Sequence, residues 1–376
     1  MNKNVVIGNL ITSVGVTSFI NCTGLSSVTF TATSQVATIE TQAFKGCSGL
    51  TTITIPDSIT NIQNQAFQSS GLTECLFSSN TTVSTLGDNA FTSSGLLSFN
   101  IPNTITSIGL SLFSSCSSLT TVTFTTTSQI TTLVANMFNG CVALNTITIP
   151  NSVTIIGEKV FYGCTLLTSI IIPTEVTNIQ KEAFKTSGLT SCTFTSGMKI
   201  TTFGDNVFTS SGLLSITIPN TITSIGVGLF STCANLTTVT FTPTSQLTSI
   251  GISMFNGCSS LNTITIPDSI VSISDNAFTD CVGLLSILFG VSSSLTTIGI
   301  TSFYNATSLT SITLPNTVSS LGNDTFRNCS SFNDFTFPTA LTTIGTGILR
   351  GCSGLTSLIF PTFITVIPQL ICENCT

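Results

Sequence analysis

A unit of 22 to 25 residues repeats along the whole chain, and this repetition constrains the fold more than any other feature. Repetition at such a period is typical of solenoids, in which each unit packs only on its neighbours. The 376 residues are therefore expected to form one elongated domain over residues 1–376. A phenylalanine marks each unit, replaced by Leu349 and Cys372 in the last two, and it recurs at Phe19, Phe44, Phe67, Phe91, Phe113, Phe138, Phe161, Phe184, Phe208, Phe230, Phe255, Phe278, Phe303 and Phe326.

Two strand-like segments follow the phenylalanine in each unit. The first has the pattern Leu-x-x-Ile-x-Ile, as at Leu144 to Ile149, and the alternation at its end predicts one buried and one exposed face. The second has the pattern Val/Ile-x-x-Ile, as at Val153 to Ile156. A turn separates them, usually with a proline that cannot extend a strand ladder, as at Pro150 and Pro361. One unit has too few apolar residues to fold alone, so stacked units must share a continuous core.

Some units end the first strand in phenylalanine and continue into a longer loop, as at residues 30–35, 124–129 and 241–246. After the second segment, Asp88 or Asp205 is predicted to cap a short helical or 3₁₀ turn that carries the phenylalanine inward. Residues 91–98 recur unchanged at 208–215, which is 117 residues later. This offset indicates duplication of a block of five units.

The cysteines follow the repeat as well. Serine or alanine fills their position in other units, so we predict a column of buried free thiols. A column of disulfides would leave unpaired members, although adjacent strands lie close enough for some bonds. Cys372 and Cys375 form a Cys-x-x-Cys motif, but both fall on ordinary repeat positions, which favours a structural role over a redox or zinc site. Eleven of the fourteen cysteines lie three residues after the phenylalanine: Cys22, Cys47, Cys116, Cys141, Cys164, Cys233, Cys258, Cys281, Cys329, Cys352 and Cys375.

Composition excludes several classes of function. Only 6% of the residues are charged, the formal net charge is -6, and no basic patch occurs, which excludes nucleic acid as a partner. Mean hydropathy is +0.56, yet the apolar runs are far shorter than a membrane span. The chain has no histidine, so catalytic triads and the commonest metal ligand are missing. We therefore expect no enzyme, no cofactor and no metal.

The unit Phe-x-x-Cys-x-x-Leu-x-x-Ile-x-Ile-Pro-x-x-Val-x-x-Ile-Gly, seen at residues 138–157, resembles the BspA-like leucine-rich repeat. The resemblance covers Val5 to Cys375. It implies a β-rich solenoid: a curved, right-handed leucine-rich repeat superhelix of about 16 units. Parallel strands would lie on its concave face and short strands or 3₁₀ turns on its convex face. The resemblance also implies a non-enzymatic adhesion or binding module at a microbial surface, whereas free thiols and the lack of a signal peptide favour a reducing compartment such as the cytoplasm.

The outward-facing residues of the first strand form the candidate ligand surface. A row of hydroxyls there suits a protein or glycan ligand on the concave face, although threonine also solvates an exposed strand without any ligand. A Thr-x-Thr ladder for ice binding is a minor alternative. The candidate residues are Thr52, Thr54, Thr121, Thr123, Thr146, Thr148, Thr238, Thr240, Thr263, Thr265, Ser311 and Thr313.

The two ends of the chain suggest a second function. Met1 and Thr376 fall close to the same position of the repeat, so the ends are expected to be in phase. Contacts between unlike surfaces of identical molecules build fibres when they do not close. The alternative function is therefore a structural solenoid that assembles end to end.

Overall fold

A computed structural model describes residues 3–360, 362 and 364–375. Met1, Pro361 and Thr376 lie outside the described residues, so end-to-end assembly and the turn at Pro361 stay predictions. The chain divides into two compact units. The N-terminal unit comprises residues 1–189 and 194–198, and the C-terminal unit comprises residues 190–193 and 199–376. A single domain over residues 1–376 remains a prediction.

Short strands alternate between two rows, as the two segments of the repeat predict. Odd-numbered strands, called front strands here, come from the first segment, and even-numbered strands, called back strands, come from the second. Up to residue 179 the strands are β1 (Lys3–Ile7), β2 (Ser13–Val14), β3 (Leu25–Phe30), β4 (Thr38–Ile39), β5 (Thr52–Ile55), β6 (Asn61–Ile62), β7 (Glu74–Phe77), β8 (Thr85–Leu86), β9 (Ser98–Ile101), β10 (Ser107–Ile108), β11 (Thr121–Phe124), β12 (Thr132–Leu133), β13 (Thr146–Ile147), β14 (Ile155–Ile156), β15 (Ser169–Ile172) and β16 (Asn178–Ile179).

The same alternation continues to residue 344. These strands are β17 (Ser191–Phe194), β18 (Thr202–Phe203), β19 (Ser215–Ile218), β20 (Ser224–Ile225), β21 (Thr238–Phe241), β22 (Ser249–Ile250), β23 (Thr263–Ile266), β24 (Ser272–Ile273), β25 (Ser286–Phe289), β26 (Thr297–Ile298), β27 (Ser311–Ile312), β28 (Ser320–Leu321), β29 (Asp334–Phe335) and β30 (Thr343–Ile344).

Strands of each row pair in parallel with the same row of the next turn. In the N-terminal unit β5 pairs with β7 and β4 with β6, and in the C-terminal unit β19 pairs with β21 and β22 with β24. No described residue is helical, and the described part contains fifteen front strands. The predicted parallel β-solenoid is thus confirmed. The unit count is slightly lower than expected, because the last unit, from Leu355 onward, has no strand among its described residues.

The repeat phenylalanines form the centre of the core. Phe44, which is completely buried, stacks on Phe19 and Phe67 with ring centroids 5.2 and 5.3 Å apart. In the C-terminal unit Phe278 stacks in the same way on Phe255 and Phe303, at 5.2 Å on each side. Each ring therefore fills the space between two neighbouring turns, and the period of the sequence sets the period of the stack.

The segment around each phenylalanine is neither helical nor 3₁₀, which corrects the expected 3₁₀ turns. Residues two before and two after the ring have left-handed backbone, as at Gln42 (φ 59°) and Gly46 (φ 70°). The N–H groups of Gln42, Phe44 and Gly46 donate to carbonyls of the following turn at 2.8–3.0 Å. Those of Ala43 and Lys45 close local turns instead. This alternation directs every second N–H along the stack, so the segment links turns as a strand does.

The aspartates that precede the phenylalanine act between turns rather than within one. The Asp88 carboxylate accepts a hydrogen bond from the Leu110 N–H of the next turn at 2.7 Å. Asp205 accepts from the Val227 N–H at 2.8 Å in the C-terminal unit. The prediction that Asp88 or Asp205 caps its own helical turn was therefore wrong, because that segment has no free helical N–H groups to cap.

Ser253 offers a test of the left-handed positions. Its φ is 53°, and Gly228 holds the same place one turn earlier at 67°. The left-handed region costs a residue with a Cβ roughly 1–2 kcal/mol, partly offset by the greater entropy of glycine. Ser253→Gly is expected to raise the free energy of unfolding by about 0.5–1 kcal/mol in urea titration. Gly228→Ala should lower it, since the new Cβ would lie 2.5 Å from Asn206 Oδ1. Equal effects of both changes would contradict this account.

Candidate ligand-binding surface

The candidate residues lie where the sequence placed them, on the outward side of the front strands. All twelve are exposed except Thr121, which is half-buried. Parallel register sets them in columns: Thr121 pairs with Thr146, and Thr240 pairs with Thr217 of the preceding turn. The chain thus brings hydroxyls of neighbouring turns together on one face in each unit.

Hydroxyls of residues just before the strands donate hydrogen bonds to backbone carbonyls of the preceding turn. Thr120 Oγ1 donates to the Leu97 carbonyl at 2.9 Å, and Thr177 Oγ1 donates to the Thr154 carbonyl at 3.2 Å. The C-terminal unit repeats both contacts, for example from Thr237 to the Leu214 carbonyl at 3.0 Å. Such bonds to the preceding turn explain how a chain with few charges satisfies its surface backbone.

Most hydroxyls of the candidate surface make no such bond. Three of the twelve have a side-chain partner, namely Thr123 with Asn100, Thr238 with Thr237, and Thr263 with Ser286. The other nine make no side-chain hydrogen bond to any described residue: Thr52, Thr54, Thr121, Thr146, Thr148, Thr240, Thr265, Ser311 and Thr313. They remain able to donate to and accept from a partner.

The row is less regular than the threonine pattern indicated. Exposed aliphatic side chains stand in it at Leu76, Ile171 and Leu288, and carboxylates stand at Glu74 and Asp334. These residues are visible in the sequence at the same repeat positions, where the threonine pattern alone predicts hydroxyls. Such breaks disturb the even spacing that an ice-binding ladder requires, whereas a mixed surface suits an organic ligand.

Half-buried phenylalanine rings mark the carboxyl ends of six front strands, at Phe30, Phe77, Phe124, Phe194, Phe241 and Phe289. From each of these rings to the end of the next back strand the chain needs nine residues, for example from Phe30 to Ile39. From the isoleucine that ends a front strand of four or more residues it needs seven, for example from Ile55 to Ile62. The longer loop therefore stands beside a shorter proline turn, and a recess forms between them.

Two of these recesses are grooves with equivalent walls. The first groove, in the N-terminal unit, has a volume of about 490 Å³ and contains Phe30, Pro56 and Asp57. The second groove, in the C-terminal unit, has a volume of about 440 Å³ and contains Phe241, Pro267 and Asp268. Hydroxyl residues complete the walls: Thr29, Thr31, Ser34, Thr54 and Ser58 in the first, and Thr240, Thr242, Ser245, Thr265 and Ser269 in the second. Sequence reasoning noted the loops only as a source of uneven spacing and missed the grooves.

The cysteines are free thiols, and most form the buried column that the sequence predicted. Cys141 Sγ donates to the Phe113 carbonyl at 3.1 Å, and Cys258 Sγ donates to the Phe230 carbonyl at 3.1 Å. Cys375 makes the same contact with the Leu349 carbonyl and belongs to this column, whereas Cys372 of the Cys-x-x-Cys motif lies at the phenylalanine position. Cys22 is exposed, and Cys375 is half-buried, unlike the others at this position.

Burial controls the ionisation of these thiols. It raises the pKa of Cys116 to about 11 and that of Cys164 to about 12. In the C-terminal unit it raises the pKa of Cys233 to about 11 and that of Cys281 to about 12. Protonated buried thiols are poor nucleophiles and poor metal ligands, so these positions are structural.

Charged groups form a small cluster away from the candidate surface. Glu182 contacts Lys185 and Lys159, with nearest N–O distances of 3.0 and 3.5 Å. Burial raises the pKa of Glu182, but the two lysines outweigh it and hold this pKa below its usual value. Glu158 also lies 3.3 Å from Lys159, so two carboxylates balance the two lysines. Among the described residues no set of three or more cysteine or acidic side chains could hold a metal ion, and none of the described segments is a helix long and apolar enough to cross a membrane.

Comparison with known proteins places this geometry in a family. The family described as BspA type leucine-rich repeat region matches residues 2–120, 84–213, 201–292 and 286–376. Among solved structures, a leucine-rich repeat protein from Bacteroides ovatus is 26% identical to this chain, with a TM-score of 0.72. The match covers 93% of this chain and 85% of the Bacteroides ovatus chain. A leucine-rich cell surface protein from Faecalibacterium prausnitzii is 28% identical with a TM-score of 0.44, covering 82% and 78% respectively. A search of curated proteins finds no match.

These matches agree with the features of the fold. The family match spans almost the entire sequence, and the Bacteroides ovatus protein shares the architecture over most of both chains. The repeat unit, the parallel strands and the buried thiol column all recur at the chain's own period of 22 to 25 residues. The chain belongs to the BspA-type leucine-rich repeat family.

Proposed function

We propose that this chain is a non-enzymatic binding protein whose candidate surface holds a polar, uncharged partner, either a protein or a glycan. One observation carries the proposal: nine exposed or half-exposed hydroxyls of that surface have no internal hydrogen bond, while those at the strand entries do. Few charges interrupt the surface, so a strongly charged partner would find little complementarity. Membership of the BspA-type family supports an adhesive role at a microbial surface.

Matched arginine substitutions test this proposal. Thr148→Arg and Thr240→Arg each place a long charged side chain at an exposed front position with no internal hydrogen bond. Ser107→Arg and Ser224→Arg make the same change at exposed positions of back strands. Binding to immobilised matrix proteins and neutral glycans would be measured by biolayer interferometry. We expect the front variants to lose about tenfold or more in affinity, because an unpaired charge must be desolvated, and the back variants to lose about twofold or less.

Two results would contradict the proposal. One is the absence of saturable binding to any probe by the unaltered protein. The other is an equal loss of affinity in front and back variants, which would point to a surface other than the front strands. Circular dichroism of all four variants controls for folding.

A further inference from the structure

The two grooves carry three kinds of chemistry side by side. Each has a half-buried phenylalanine ring on one wall, a carboxylate on the facing proline turn, and hydroxyls from the loop and from both front strands. The Asp268 carboxylate makes no hydrogen bond or ion pair with any described residue, and the Asp57 carboxylate contacts only the hydroxyl of Ser78. The carboxylates are therefore largely available to accept hydrogen bonds from a ligand.

The first groove also has two unpaired hydroxyls in its walls. The oxygens Thr31 Oγ1 and Ser58 Oγ are shielded from solvent and have no hydrogen-bond partner. Both belong to the walls of the groove. Buried polar groups nearly always find a partner, and a polar ligand in this groove would supply one. In the second groove the equivalent hydroxyls of Thr242 and Ser269 donate instead to the Ile218 and Leu247 carbonyls, at 3.2 and 2.7 Å.

We propose that each groove binds a short segment of a neutral, hydroxyl-rich saccharide. This inference rests on the proposed function, since it assigns a ligand class to part of the candidate surface. The ring offers an apolar face to the C–H groups of a sugar, and the carboxylate accepts hydrogen bonds from neighbouring sugar hydroxyls. Volumes of about 490 and 440 Å³ lie within the roughly 300–1,000 Å³ of small-molecule sites.

Other ligand classes fit the grooves less well. No lysine or arginine lines either groove, so an anionic group would meet a carboxylate without a compensating cation. An extended peptide that binds by strand addition needs an open strand edge. The front strands beside the grooves pair with the next turn, as β5 does with β7 and β23 with β25. A neutral saccharide needs neither a cation nor a free edge.

Asparagine substitutions at the two carboxylates test the inference in the full chain. Maltotriose, cellotriose, chitotriose and mannotriose would be titrated separately by calorimetry. We expect one of them to bind at two sites per chain. Asp57→Asn and Asp268→Asn should each leave one site, and the double variant should lose about tenfold or more in affinity at both. Asp334→Asn makes the same change at an exposed front position outside the grooves and should bind like the unaltered protein.

The outcomes separate this inference from the proposed function. Failure of all four saccharides to bind, or unchanged binding in the double variant, overturns the groove assignment. If a protein or glycan partner is then lost on Thr148→Arg or Thr240→Arg while the double asparagine variant retains it, the proposed function stands without the grooves. Thermal melts of the asparagine variants should match the unaltered protein, because both carboxylates are exposed.

Discussion

Replacing Phe138 by alanine is expected to destabilise the N-terminal unit by about 3–5 kcal/mol. The ring is completely buried and stacks on Phe113 and Phe161, with centroids 5.7 and 5.5 Å away. Its removal leaves a cavity in the middle of the stack, and hydrogen bonds above and below limit how far the neighbouring turns can collapse. Because each turn packs only on its neighbours, the loss cannot be shared with distant turns.

Urea unfolding followed by circular dichroism measures this loss. Leu166→Ala is the matched control, because that side chain is 57% exposed and lies in the following turn. It should cost about 0.5 kcal/mol or less. A loss for Phe138→Ala no larger than that for Leu166→Ala would show that the stacked rings are not the main source of stability.

Alkaline solution is expected to unfold the protein through its buried cysteines. Burial raises the pKa of the Cys116, Cys164, Cys233 and Cys281 thiols to about 11 or 12, above the usual value near 9. The folded state thus keeps protons that the unfolded state releases. Stability is fully present below about pH 9 and falls as the pH rises towards the folded pKa. Between the unfolded and folded pKa values each such thiol costs about 1.4 kcal/mol per pH unit, so these four remove about 5.6 kcal/mol over one unit.

Urea midpoints measured in reducing buffer at a series of pH values check this expectation. The midpoint should change little between about pH 6 and pH 8, since the chain has no histidine to titrate there, and should fall steeply above about pH 9. Cys164→Ala removes one titrating thiol, so the free energy of unfolding of this variant should fall less steeply with pH, by about 1.4 kcal/mol per unit. A midpoint independent of pH up to about pH 11 would mean that folding does not raise the pKa of these thiols.

The repeat predicts most of the fold because each residue's place depends mainly on contacts with the adjacent turns. Ile53 and Ile55 were expected inside and Thr52 and Thr54 outside, and this is how they lie. The buried thiol at Cys141 followed from its exchange with serine and alanine. Period, alternation and side-chain size are all visible in a sequence, and each fixes a position relative to the adjacent turns.

Other features depend on contacts that a single unit does not contain. Left-handed backbone at Lys159 has no sequence signal, because lysine rarely adopts it, and here the Lys159 N–H donates to the Lys181 carbonyl of the next turn at 3.1 Å. The action of Asp88 on Leu110 likewise appears only when two turns are stacked. The grooves arise from a mismatch between a long loop and the short turn beside it, which pattern reading within one unit does not detect.

The regular thiol contacts affect how the gene for this chain can gain or lose repeats. Cys116, Cys141 and Cys164 bond to carbonyls at 3.0, 3.1 and 3.2 Å, and their counterparts 117 residues later do so at 2.9, 3.1 and 3.0 Å. Each turn therefore meets the same neighbour chemistry wherever it stands. Unequal recombination between copies would add or delete a five-turn block while preserving these thiol contacts. The length of this chain can therefore change by a single genetic event that leaves the column of thiols continuous.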